Sequence, residues 1–236
     1  MHKPPATYEV YFETGRRRVF AGAVEWPGWC RSGRDESAAL ETLVAYGPRY
    51  ARAVHTAYPG LELAASASEL VITERLEGNA TTDFGAPGAI PAADQRTLAP
   101  AELERLTTLL QACWQAFDAA VLAARGKALR KGPRGGGREL SAIVQHQIDA
   151  NRAYLSKMAW KPDLGADANP EQQLSRMLDE VLSALRAGAA DELPRRGPRG
   201  GKLWAPRYFA RRVAWHMLDH AWEIEDRVRQ HAQPRP

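Results

Sequence analysis

The sequence predicts an α+β protein, with a small N-terminal αβ part followed by an all-α four-helix bundle. Three observations predict it. β-forming residues alternate with turn residues in the first quarter of the chain. A stretch rich in glycine, proline and small residues follows residue 78. From Pro100 onward, apolar residues recur only at spacings of three and four. The expected organisation is therefore an αβ domain over 1–78, a linker or surface loop over 79–100, and a bundle over 101–236.

The elements follow in order. Tyr8-Glu-Val-Tyr-Phe-Glu13 is rich in β-formers, Thr14-Gly15-Arg16 breaks it, and Arg18 to Glu25 resumes it, which predicts a hairpin. Trp26-Pro27-Gly28-Trp29 ends the second strand, because proline cannot donate to a ladder and Pro-Gly favours a turn. A helix capped by Asp35 or Ser32 then runs to about Val54, with a kink possible at Gly47-Pro48. Glu69 to Leu76 reads as another strand. Four helices are expected over 101–129, 139–160, 170–187 and 206–231, with Pro100 where a helix start tolerates it.

Composition bounds the function. The 236 residues are 44% hydrophobic and 25% charged, enough apolar material for a core without covalent staples. The two cysteines, Cys30 and Cys113, are too few and too far apart for a disulfide framework or a CxxC zinc pair. The start, Met1-His2-Lys3-Pro4-Pro5, has no apolar segment behind it, and no run reaches the ~18 apolar residues of a membrane helix, so a cytoplasmic protein is expected. Net charge is +4, with acid-free basic stretches over 125–138 and 195–212. These contain Gly132-Pro-Arg-Gly-Gly136 and Gly197-Pro-Arg-Gly-Gly201, read either as anion-holding loops before helix N-termini or as flexible turns. No recognition element for nucleic acid accompanies them, which argues against that class.

The candidate chemistry lies in the histidines. At 100° per residue, Phe209, Val213, Met217, Ile224 and Val228 share one sector of the last helix, with His216 and His220 in or beside it. Their four-residue spacing stacks the two rings one turn apart, where neutral imidazoles can reach one transition-metal ion. A third ligand is normally required. His2 and His231 lie near the termini and His55 in the N-terminal part, which leaves His146 on the second bundle helix. That residue is off the main stripe of its helix, and periodicity nominates Gln147 almost as readily. The competing reading is a pair of core histidines bonded to backbone or carboxylate.

The stretch Arg211-Arg-Val-Ala-Trp-His-Met-Leu-Asp-His-Ala-Trp-Glu223 resembles the last helix of DinB-like (YfiT-like) proteins, and His146-Gln-Ile-Asp-Ala-Asn-Arg-Ala-Tyr-Leu155 resembles their second helix. The resemblance covers about 60% of the chain. It implies a four-helix bundle holding a divalent metal, zinc or nickel, on His146, His216 and His220. It also implies the activities of that family, which includes transferases and isomerases that use low-molecular-weight thiols; hydrolysis by a metal-bound hydroxide is the variant. Asp149, Asp219 and Glu223 lie within a turn of the histidines and are candidates to orient an imidazole. Arg152, Arg211 and Arg212 are candidates to grip an acidic cofactor, or to make ordinary salt bridges.

The segment from Glu25 to Leu40, a strand, a Pro-Gly turn and a helix, resembles HicB-like domains. The DNA-binding module that accompanies such domains in antitoxins has no counterpart here, so the fold and not the role is what carries over. Trp26, Trp29 and Cys30 are candidates either to line a ligand groove or to pack between domains. Two functions remain open at this level: a metal-dependent enzyme acting on a small molecule, or a non-catalytic module whose N-terminal part contacts a protein partner.

Overall fold

The computed structural model describes residues 7–131, 137–166, 168–194, 196–197 and 201–229. The hairpin forms as the sequence predicts: β1 (Tyr8–Thr14) pairs antiparallel with β2 (Val19–Ala23), with Val10 opposite Ala23 and Thr14 opposite Val19. The second strand ends before Trp26-Pro27, but the sequence reading goes straight from that turn to a helix and is corrected there. The chain turns through Gly28, at φ +95°, and returns as β3 (Cys30–Gly33), antiparallel to β2. Cys-Arg-Ser-Gly has no β-branched residue and no alternation, so the strand leaves no period-2 signature. Tertiary pairing makes it.

Helix α1 (Glu36–Ala53) follows, with the Asp35 carboxylate accepting from the Ala38 N–H at 2.9 Å. Pro48 lies within the helix, which runs on to Ala53. A Cβ at Gly33 would press on the backbone of Ala38 and Ala39, so only glycine lets the strand end this close to α1. After α1 the chain adds β4 (Leu70–Glu77) parallel to β1, giving the strand order β3-β2-β1-β4.

Residues 79–100, expected as linker or surface loop, are folded onto the molecule. They hold α2 (Ala80–Phe84) and a 3₁₀ turn over Ala92–Gln95. The Glu13 carboxylate, fully buried on β1, accepts from the Gly88 and Ala89 N–H groups at 2.7 and 3.0 Å and from the Thr82 hydroxyl. These bonds answer the desolvation of a buried acid.

The four long helices follow as α3 (Pro100–Ala124), α4 (Leu140–Ser156), α5 (Pro170–Ala189) and α6 (Pro206–Arg229). α3 ends five residues before the expected position, shortly ahead of Gly126 at φ +72°. α5 starts on an Asn169 capping box. One contiguous core joins Phe12, Trp29 and Leu43 of the αβ part to Leu106, Phe117, Met177 and Phe209 of the bundle. Trp29 is buried, donating its indole N–H to the Leu43 carbonyl at 2.8 Å, and Trp26 packs edge-on against Tyr50 and Tyr58. Both tryptophans therefore pack the structure instead of lining a groove.

α6 is the central element. Every residue from Arg207 to Leu218 is buried, because α3 to α5 cover one side while the sheet and the 79–100 segment cover the other. The sequence predicts one apolar sector, but Ala210, Ala214, Trp215 and Leu218 are buried as well. Among the described residues no helix is long and apolar enough to cross a membrane.

Candidate metal centre

The three nominated histidines converge. His146 of α4 and His216 and His220 of α6 each offer a ring nitrogen, and the three atoms lie within 4.8 Å of one another. His146 Nε2 lies 3.3 Å from His216 Nε2. Ring centroids are 4.8 to 5.1 Å apart, with near-perpendicular planes. Two imidazoles bound to one ion at 2.0–2.1 Å with a tetrahedral angle have their nitrogens about 3.4 Å apart. The His146–His216 pair already has that spacing. A pair at the 4.8 Å limit must close by about 1.4 Å to reach the tetrahedral spacing.

Local structure explains the placement. His216 and His220 are four apart on α6 and stack one turn over the other. α4 is fixed to α6 by two buried amides. Gln147 donates to the His216 carbonyl at 2.8 Å, and Asn151 donates to the Gln147 carbonyl at 2.8 Å. With Gln147 pointing into the core, its neighbour His146 lies half-buried at the edge and swings its ring over the α6 pair.

The electrostatics favour neutral rings at His216 and His146. Burial first, then the charges of His220, His146, Arg212 and Arg138, hold His216 well below the usual imidazole range. Burial, Arg138 and His220 also lower His146. Neutral imidazole is the form that carries a lone pair for a metal. The His216 Nδ1 atom is buried with no partner among the described residues.

The orienting groups divide. Glu223 accepts from His220 Nδ1 at 2.7 Å, which leaves the other ring nitrogen as the one free to ligate. Its second oxygen accepts from Arg227 at 3.0 Å, and Arg227 also donates to the carbonyls of Arg130 and Arg138. Burial raises the Glu223 carboxyl and the bonds to His220 and Arg227 outweigh it, so its pKa is lowered and the anion persists. Asp149 and Asp219 do not touch a ring: Asp149 is exposed and bonded to Gln145, and Asp219 is paired with Arg31 at 2.9 Å.

Of the candidate anion-binding arginines, Arg152 is exposed and bonded to Gln173. Arg211 is buried and committed to both oxygens of Asp94, at 2.5 and 2.8 Å, and to the carbonyls of Ala23 and Val24. Arg212 donates to the Pro87 carbonyl and to the Tyr154 hydroxyl beside His216. Cys30 is buried against Phe20 and Trp215, and desolvation pushes its thiol up to about 12, so it is not a nucleophile at neutral pH.

Around the site, Tyr154 is the aromatic eight residues after His146 in the DinB-like motif and Arg138 belongs to the basic stretch over 125–138, whereas sequence reasoning gave Trp215 and Arg227 no role. Of those two, Arg227 left a signal, as the i+4 partner of Glu223. His2, His231 and the segment 132–136 lie outside the described residues, as do 198–200 of the second glycine-rich loop. No protein-family model, curated protein or solved structure matches this chain, so the DinB-like and HicB-like resemblances rest on their motifs alone.

Proposed function

We propose that the protein binds one divalent transition-metal ion, zinc or nickel, through His146, His216 and His220, and uses it in a metal-dependent transfer or hydrolysis. The observation that carries this reading is the meeting of three imidazoles from two helices, with burial favouring the neutral form of His146 and His216. The donor set suits such an ion: three nitrogen ligands leave a position open, as catalytic sites do. When bound, the ion supplies Lewis acidity that lowers the pKa of a thiol or water on that position. The remaining work belongs to the chain. Glu223 fixes the tautomer of His220, Gln147 and Asn151 hold the register of α4 on α6, and Trp215 and Tyr154 wall His216 from bulk water.

A low-molecular-weight thiol as co-substrate follows from the DinB-like resemblance and belongs to the same proposal. Elemental analysis of tag-free protein should give one metal per chain. His216→Ala should lose it with an unchanged far-ultraviolet circular dichroism spectrum. Wild-type protein without stoichiometric metal, even after incubation with excess zinc or nickel at neutral pH, would overturn the proposal in favour of a non-catalytic module.

A further inference from the structure

α6 buries three arginines, and two of them have carboxylates. Arg207 pairs with Glu25 and Glu102, and Arg211 pairs with Asp94. Arg212 is only 6% exposed, and no acid lies within salt-bridge distance of it among the described residues. Its bonds go to a backbone carbonyl and a phenol hydroxyl, and its Nε is buried without an acceptor among the described residues. The nearby Glu13, whose charge acts with that of Arg212 on Tyr208, is satisfied by Thr82, Gly88 and Ala89. Burying a guanidinium without an anion is costly. Two more donors near it, Trp215 Nε1 and His216 Nδ1, are also buried without acceptors among the described residues. Arg212 lies 5.1 Å from the Trp215 ring centroid and 5.4 Å from that of Tyr154, and both rings pack on His216.

We infer that Arg212, with Tyr154, is the anchor for a carboxylate group of the ligand that reaches the histidine cluster. This rests on the metal reading above and names the class of molecule it serves, a small organic acid. Arg212, His216 and His220 follow one another at four-residue steps, so the anchor lies about 6 Å along the helix axis from His216. That distance suits an acid whose reacting atom is three or four bonds from its carboxylate. Arg138, exposed at the start of α4, adds a positive field that reaches both His146 and His216. The half-buried His146 and Tyr154 form the edge by which a ligand enters.

The test uses cobalt(II)-loaded protein titrated with 3-mercaptopropionate and with its uncharged analogue 3-mercaptopropionamide, following the sulfur-to-cobalt absorption. The acid should bind at least tenfold more tightly than the amide. Arg212→Gln should abolish that preference while leaving amide affinity and cobalt content unchanged, and Arg212→Lys should keep part of it. Equal affinities in the wild type, or a preference that survives in Arg212→Gln, would overturn the inference. If the wild type takes up no cobalt, the metal reading fails, and succinate binding to the metal-free protein decides the anchor. Binding lost in Arg212→Gln supports it, and no binding overturns it. Should Arg212→Gln not fold, Tyr154→Phe replaces it: a several-fold loss of acid preference supports the anchor, and no change overturns it.

Discussion

Glu223 shows how one side chain sets the properties of another. Its carboxylate holds His220 by Nδ1, so the ring presents its other nitrogen to the cluster without further ordering. Glu223→Gln should lower metal affinity by roughly 10- to 100-fold, the usual effect of losing an orienting partner, with little change in fold. Competition against a chromogenic chelator measures it. Asp118 behaves differently. It is exposed at the rim of an apolar groove lined by Val121, Leu140, Val144 and Leu174, and desolvation by the groove wall pushes its carboxyl up to about 6. The folded protein then holds this proton more tightly than the unfolded chain does. Its contribution to stability is full at low pH and is lost as pH rises through about 6. Asp118→Asn should therefore raise the melting temperature at pH 7, with the difference shrinking towards pH 4. Both cysteines are buried with raised pKa values, so neither should react with a thiol reagent at pH 8 until the protein unfolds.

At the scale of elements, the site depends on how α4 lies on α6. Gln147 and Asn151 set that relation with bonds that only one register satisfies. Gln147→Ala removes a buried hydrogen bond between α4 and α6 and opens a void, and should cost about 1–3 kcal/mol in urea denaturation. It should also weaken metal binding, although residue 147 is not a ligand. β3 and the 79–100 segment act on α6 from the other side. Arg31 on β3 pairs with Asp219 and lies over Tyr46 and Trp222, while the backbone of residues 87–88 accepts from Tyr208 and Arg212. The αβ part thus holds the helix that carries two of the three histidines.

For the whole molecule, the buried Asp94 joins the two parts. It accepts from Arg211 and lies 3.4 Å from Arg207, while Arg211 also binds the carbonyls at the end of β2. Asp94→Ala leaves two buried cations short of charge and should cost about 3–5 kcal/mol. Because one core spans sheet and bundle, the wild type should unfold in urea as a single transition, with tryptophan fluorescence and circular dichroism coincident. Separate transitions would show that the two parts fold independently.

The sequence by itself determined the hairpin, α1, β4, the four long helices and the pairing of His216 with His220, because each is written in local periodicity and capping. It did not determine β3, whose four residues have no strand preference, or the packing of 79–100, whose partners Glu13 and Arg211 are distant in sequence. It also left His146 and Gln147 close to equal as candidates, since adjacent positions on a helix differ by only 100°. Tertiary structure decided between them: Gln147 reaches the His216 carbonyl, and that contact directs the ring of His146 over the other two. It likewise separated Arg212 from Arg152 and Arg211, because whether an arginine has an acid beside it depends on which distant segments fold against it.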